Sequence, residues 1–264
     1  MKWKAFLLVL MLAAPFALAD YHQVAQAPAG PSMTFRATLS GVQVVPVVAT
    51  GGSGWSRARL EGNRLTLEGE FTGLSGAARA AHIHGPAARG ANAGVVFPLQ
   101  FTADTRGTLS GSAELTDAQL AQLKAGVYYV NVHTPANPGG EVRGQLDEIE
   151  IRATLSGAQE VPAVNTAGRG SATVVIRGNR LTLSGSFSGL GEPARAAHIH
   201  GAAARGANAG VIIPIQFTAA PQGQISVEVE LTPEQREMIL SGRTYVNIHT
   251  ATHGGGEIRG QLDE

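Results

Sequence analysis

The 264-residue chain contains no cysteine. This absence excludes disulfide bonds, thiolate metal sites, a cysteine nucleophile and lipid attachment through an N-terminal cysteine. Aromatic residues make up only 5% of the chain and glycine occurs 34 times, a composition typical of small β domains with many turns. The 20 basic and 20 acidic side chains balance, so the chain lacks the excess positive charge that electrostatic nucleic-acid binding requires.

An apolar run lies close to the N-terminus. A basic start, residues 1–4, precedes the apolar residues 5–14, and residues 17–19 have the small-x-small pattern of a signal-peptidase site. A membrane anchor is the alternative, but the run is short for a span of about 20 residues and no stop-transfer flank follows it. We therefore expect a signal peptide over residues 1–19, a linker over residues 20–33, and a secreted or periplasmic mature protein without a membrane span.

Beyond residue 33 the sequence repeats itself with a constant offset of 116 residues. The matched segments are residues 36–41 and 152–157, residues 62–67 and 178–183, and residues 140–146 and 256–262. Two copies are too few for a solenoid, and each copy is long enough to bury its own core. We therefore predict two domains, at residues 34–148 and 150–264.

Apolar and polar residues alternate within each repeat, as in residues 64–68 and 224–230. Such alternation indicates half-buried strands with one face in water. Gly62-Asn63 separates two such runs, as its counterpart does in the second repeat, and predicts a hairpin turn.

One short helix interrupts the strands of each repeat. In the first repeat Thr116 and Gln119 have the spacing of a capping box, and Gly126 ends the segment. The second helix begins at Thr232, with Pro233 in the first turn, where proline is tolerated. We therefore predict an all-β fold of two tandem antiparallel β-sandwich or Greek-key barrel domains, each with one short helix.

Six of the eight histidines lie in four short runs that recur between the repeats. They are His82, His84 and His133 in the first repeat and His198, His200 and His249 in the second. Because side chains alternate across a strand, His82 and His84 face one side and Ile83 faces the other. The later run places its valines on the core side, which leaves His133 on the outer face.

If the two strands of each repeat are adjacent, three imidazoles converge on one outer patch. Three histidines with an open fourth position can form a reactive metal site, and imidazole nitrogen suits copper and zinc. The alternatives are a solvated histidine face, or histidines that hydrogen-bond the loop after His84. In the second repeat His253 is a candidate fourth ligand, or a plain loop histidine.

Two pairs of charged residues are further candidates near the histidines. Arg89 and Arg205 lie in Gly-rich loops without the Gly-Lys-Ser/Thr ending of a phosphate loop, and they could attract anions or stay solvated. Glu141 and Glu257 follow a Gly-Gly step, and they could orient a histidine N–H or form a salt bridge with an arginine.

Residues 81–86, 94–98, 131–134 and 140–146 resemble the chordin-type (CHRD) domain, and the second copy resembles it equally well. The resemblance covers nearly all of the chain beyond residue 33. It implies secreted or periplasmic β-rich domains that often occur in tandem. The biochemical role of that family is poorly defined, so the resemblance implies an architecture more than an activity.

The histidine runs also resemble, more distantly, the Cu,Zn superoxide dismutase fold, which has a His-x-His strand, a Gly-rich loop and a late Val-His step. This resemblance implies that both histidine sets match three copper ligands. The bridging histidine of the dismutases has no counterpart after Ala93-Gly94, the loop has no zinc ligands, and Arg143 and Arg259 lie at a different offset from the anion-guiding arginine. The resemblance therefore implies copper rather than zinc, without efficient dismutation.

Three hypotheses follow for the function. The first is a binding module in which each domain holds one copper ion through its three histidines, for storage, delivery or protection. The second is a copper-only redox enzyme similar to the superoxide dismutases. The third is a metal-free adhesion or interaction protein whose outer faces bind a protein or a glycan.

Overall fold

The computed structural model describes residues 32–264, so the predicted signal peptide lies outside the described residues. The elements of the first repeat are β1 (Met33–Ser40), β2 (Ser53–Glu61), β3 (Arg64–Thr72), β4 (Ala80–His84), β5 (Val95–Pro98), β6 (Gln100–Phe101), β7 (Gly107–Glu114), α1 (Asp117–Lys124), β8 (Tyr129–His133) and β9 (Val142–Gln145). Those of the second repeat are β10 (Glu148–Ser156), β11 (Arg169–Arg177), β12 (Arg180–Ser188), β13 (Ala196–Gly201), β14 (Val211–Pro214), β15 (Gln216–Phe217), β16 (Gly223–Glu230), α2 (Pro233–Leu240), β17 (Thr244–His249) and β18 (Ile258–Gln261).

The strands of the first repeat close into an antiparallel barrel. Around the barrel β1 pairs with β2, β2 with β3, β3 with β7 and β7 with β6. A single residue separates β6 from β5, which pairs with β4, and the ring closes through β8 and β9 back to β1. The second repeat has the same pairings in the same order. The predicted all-β antiparallel architecture is confirmed.

The alternation of the sequence explains how the longer strands lie in the barrel wall, whereas β9, β17 and β18 are buried at every position. Along β3 buried and exposed side chains alternate without interruption, and Leu65, Leu67 and Phe71 face the core. Gly62 occupies the first central position of the predicted hairpin with a φ of +62°, a left-handed conformation that glycine adopts without steric cost.

Both short helices begin with the capping boxes that the sequence predicts. The Thr116 hydroxyl accepts the backbone N–H of Gln119, and the Gln119 side chain accepts the N–H of Thr116. Thr232 and Gln235 repeat this arrangement, with Pro233 in the first turn of α2. No helix within residues 32–264 is long and apolar enough to cross a membrane.

The two barrels are joined by a strand pair with approximate two-fold symmetry. The N-terminal half of β1 pairs antiparallel with the start of β10, and Thr34 lies opposite Glu150, its counterpart at the 116-residue offset. At the helix ends, Lys124 Nζ donates to the carbonyl of its own counterpart Leu240 at 2.9 Å. Equivalent residues meeting across a boundary mark a two-fold relation.

Candidate metal centre

In the first domain, strands β4 and β8 are neighbours, and their register brings three histidines together. His82 lies opposite Asn131 and Ala80 lies opposite His133. The side chain of Ile83 is 2% exposed and points into the core with those of Val130 and Val132. The imidazoles therefore share the opposite face of the barrel wall, as the alternation predicts.

The ligand nitrogens of each histidine trio lie close enough to share one ion. His82 Nδ1 lies 3.2 Å from His133 Nε2, and His84 Nε2 lies 3.4 Å from that same atom. In the second domain His198 Nδ1 lies 3.1 Å from His249 Nε2. Tetrahedral bonds of about 2.0–2.1 Å require nitrogens about 3.3 Å apart. All three ligand atoms of each trio lie within 4.8 Å of one another.

Backbone carbonyls direct the remaining ring nitrogens away from this centre. His84 Nδ1 lies 3.1 Å from the carbonyl of Ala93, and His133 Nδ1 lies 3.0 Å from that of Pro138. A carbonyl only accepts, so each Nδ1 carries the proton and each Nε2 keeps its lone pair.

The second domain repeats this pattern and leaves one nitrogen without a partner. His200 Nδ1 bonds to the carbonyl of Ala209 at 2.9 Å, and His249 Nδ1 to that of Gly254 at 3.1 Å. His200 Nε2 is buried and has no hydrogen-bond partner. A buried polar atom without a partner is costly, so a cation bound at this position would relieve the cost.

Burial keeps the imidazoles in the form that binds metals. Desolvation is the main reason why the pKa of all six histidines is lowered, and the pKa of His249 falls to about 4. The pKa of His84 is further lowered by the neighbouring charges of His133, His82 and Arg143. The trios are therefore neutral near pH 7, as metal ligation requires.

A stack of three side chains supports His84 from behind. The ring of Tyr129 is parallel to the imidazole of His84 with centroids 5.0 Å apart, and the guanidinium of Arg143 lies 3.5 Å from the Tyr129 centroid. Arg143 is 2% exposed and donates to the carbonyl of Ala91 at 2.8 Å. The stack fixes the ligand ring and the loop above it. Tyr245 and Arg259 repeat it behind His200.

Glu141 does not orient a histidine and does not pair with an arginine. Its carboxylate is fully buried and accepts from Thr50 Oγ1 at 2.6 Å, from both the N–H and the hydroxyl of Ser75, and from Thr134 Oγ1 at 2.7 Å. These hydrogen bonds outweigh the desolvation that raises its pKa, and the net effect lowers the pKa to about 2. Glu141 therefore ties three loops together, including the one that follows His133.

The other candidates, Arg89, Arg205 and His253, lie outside the histidine trios. Arg89 forms a salt bridge with Asp147 at 2.7 Å, and Arg205 forms one with Asp263 at 2.6 Å. Each guanidinium is therefore paired with a carboxylate while its side chain stays more than half exposed. The ligand atoms that converge in the second domain do not include His253.

The second domain has one buried carboxyl group that the first domain lacks. Glu160 is 6% exposed, and its counterpart at the 116-residue offset is Val44. Burial raises the pKa of Glu160 to about 7, against the opposing influence of Arg259 and a hydrogen bond from Asn247. One oxygen of Glu160 and the amide oxygen of Asn247 are buried without a donor. A protonated Glu160 would avoid the cost of a buried carboxylate.

An open basin of about 570 Å³ lies over the first trio. Besides the three histidines and Thr134, it is lined by one cation and by four apolar or small residues, namely Arg79, Ala80, Val95, Pro135 and Pro138. No carboxylate is among its lining residues.

Comparison with protein families gives two adjacent matches. A family model described as CHRD domain matches residues 35–146 and again residues 151–262. Together the two matches cover most of the chain and include all six histidines of the trios. No curated protein matches the chain.

Proposed function

Starting from the fact that this chain belongs to the CHRD domain family and carries two such domains in tandem, we propose that each domain binds one copper ion. The ligands are His82, His84 and His133 in the first domain and His198, His200 and His249 in the second. The protein stores, delivers or sequesters copper outside the cytoplasm. The secreted or periplasmic location in this proposal rests on the signal-peptide pattern of residues 1–19.

The convergence of three neutral imidazoles is the observation that carries the proposal. In the first domain two of the three nitrogen–nitrogen distances, 3.2 Å and 3.4 Å, match those of a single ion with bonds of about 2.0–2.1 Å. All the ligand nitrogens of each trio lie within 4.8 Å of one another. Carbonyl groups hold two of the three rings in the tautomer with a free Nε2. In the second domain the buried Nε2 of His200 has no hydrogen-bond partner within residues 32–264, so its lone pair is available to a metal ion.

Copper is favoured over zinc by the chemistry of the donors. Each trio consists of nitrogen alone, with no thiolate or carboxylate among the converging atoms. For a given set of nitrogen ligands Cu²⁺ binds more tightly than Zn²⁺. Bound copper would supply a redox-active centre with a position open toward the basin.

Metal titration of the mature chain, residues 20–264, tests this proposal. We expect two copper ions per chain by calorimetry, with nitrogen hyperfine coupling in the electron paramagnetic resonance spectrum. The variant His82→Ala with His84→Ala should retain one ion, and so should His198→Ala with His200→Ala. His253→Ala is the matched control, because it removes a histidine outside the trio and should leave both ions bound.

Two outcomes would contradict the copper proposal. Binding no tighter than that of an unrelated protein would leave the trios as surface histidines and favour the metal-free adhesion hypothesis. A loss of one ion in His253→Ala would show that the second site has a different ligand set.

A redox enzyme is the second candidate, and the open basin over the first trio favours it. A copper-only catalyst needs a reducible metal that a small substrate can approach. Superoxide turnover by the copper-loaded protein should then exceed that of an equal amount of free copper. Turnover at or below that of free copper would leave binding as the function.

A further inference from the structure

The basin over the first trio has excess positive charge. Among the residues that line it, the three histidines are neutral near pH 7 and Arg79 is the one charged side chain, which is exposed. The ion pairs of residues 32–264 join other arginines to carboxylates and do not include Arg79. The buried acid Glu141, which accepts from the lining residue Thr134, already has four hydrogen bonds from Thr50, Ser75 and Thr134.

Apolar surface accompanies this charge. Val95 is 55% exposed, and it lines the basin with Pro135 and Pro138. A cation at the trio, a guanidinium beside it and an apolar rim together match an organic anion. An inorganic anion would meet the charges and leave the rim in water.

We infer that the copper ion of the first domain takes a small organic carboxylate as its fourth ligand. The carboxylate completes the coordination of the ion beside Arg79, and the apolar body of the ligand covers Val95, Pro135 and Pro138. This inference rests on the proposed copper site and adds the class of molecule that the site receives.

The second domain provides a comparison within the same chain. It keeps the arginine and the valine, as Arg195 and Val211, and Val211 is 52% exposed. The two prolines are replaced by Ala251 and Gly254. The second site therefore keeps the arginine and the valine of the first and has a smaller apolar rim. It should accept a small carboxylate and show little preference for a larger one.

The test uses the mature chain with one trio removed and the other loaded with one equivalent of Cu²⁺. The variant His198→Ala with His200→Ala isolates the first site, and His82→Ala with His84→Ala isolates the second. Each protein is titrated with formate and with cyclohexanecarboxylate. The visible absorption and the copper hyperfine splitting report ligation without any catalytic assay.

We expect the first site to bind cyclohexanecarboxylate about tenfold more tightly than formate, because the ring removes apolar surface from water. The second site should bind the two within about twofold. Replacing Pro135→Ala together with Pro138→Gly should give the first site the selectivity of the second. The carbonyl that holds His133 is retained in that variant, as Gly254 shows in the second domain.

Arg79→Gln should weaken both carboxylates about threefold, since exposed ion pairs contribute modestly. Copper bound at full stoichiometry with no spectral response to either carboxylate would overturn the inference and leave the copper site intact. Equal binding of neutral cyclohexanecarboxamide would overturn it as well. A failure to bind copper at all would overturn the proposed function, and this inference with it.

Discussion

Replacing Glu160→Gln should stabilise the second domain at alkaline pH and leave it unchanged in acid. The pKa of this buried carboxyl is raised from 4.5 to about 7 by desolvation. Between these values the folded domain holds a proton that the unfolded chain has released, so stability falls as the pH rises through this window. Each pKa unit corresponds to about 1.4 kcal/mol, so the ionised carboxylate costs the fold about 3 kcal/mol above pH 7. Glutamine is neutral at every pH and therefore avoids this cost.

Urea denaturation of the metal-free mature chain, followed by circular dichroism at pH 4.5 and pH 8, measures this effect. The free energy of unfolding of the variant should equal that of the wild type at pH 4.5. At pH 8 it should exceed that of the wild type by about 3 kcal/mol. Glu257→Gln is the matched control in the same domain, because hydrogen bonds from Thr166, Gly191 and Thr250 lower the pKa of that carboxyl. The free energy of unfolding of Glu257→Gln should be lower than that of the wild type at pH 8, and the difference should be smaller in acid.

A variant less stable than the wild type at pH 8 would refute this reasoning. That result would mean that Glu160 is ionised in the folded domain and that its attraction to Arg259 exceeds its desolvation cost. If the free energies of unfolding of the variant and the wild type differ by the same amount at pH 4.5 and at pH 8, the carboxyl is solvated.

Three further predictions concern loops, helices and ligands. Glu141→Gln should destabilise the first domain by about 3 kcal/mol at pH 7, because the folded domain lowers the pKa of Glu141 from 4.5 to about 2. In the wild type this stabilisation is lost as the pH falls from 4.5 through about 2. An acid-denaturation profile that is the same for the variant and the wild type would contradict this. Thr116→Ala and Thr232→Ala should each cost about 1 kcal/mol in urea denaturation while the serine variants cost less, since serine retains the cap. Copper should leave both trios on acidification. Half of it should be released below pH 6.5, because every trio histidine has a lowered pKa. Copper that is still bound far below pH 4, as seen by spectroscopy, would argue against ligation by histidine alone.

Local sequence patterns were sufficient for much of this fold and for the histidine face. The alternation around Leu65 and Leu67 predicts a strand of the barrel wall, and Thr116 with Gln119 predicts the helix start. The spacing of His82 and His84 places both imidazoles on the outer face. Each of these features depends on residues that are near one another in the chain.

The supporting contacts of the site depend on distant residues and could not be predicted in this way. The stack behind His84 requires β8 and β9 to pair in one particular register, which sets Arg143 opposite Asn131 and beside Tyr129. The carbonyls of Ala93 and Pro138 belong to irregular loops whose backbone direction no side-chain pattern encodes. Glu141 has donors from three separate loops. A tyrosine two residues before the Asn-x-His end of the strand recurs in both repeats, as Tyr129 and Tyr245, and the strand alternation places it on the same face as the histidine.

The pairing of β1 with β10 also bears on how a protein of this kind could arise. Two identical single-domain chains would form the same antiparallel junction as a homodimer, with Thr34 of each copy at the axis where Thr34 and Glu150 now meet. Only Leu146 and Asp147 separate β9 from β10, so joining the two copies required almost no added chain. Once the copies were fused, each could diverge alone. The rim prolines of one domain and the buried Glu160 of the other are differences that a symmetric dimer could not have acquired.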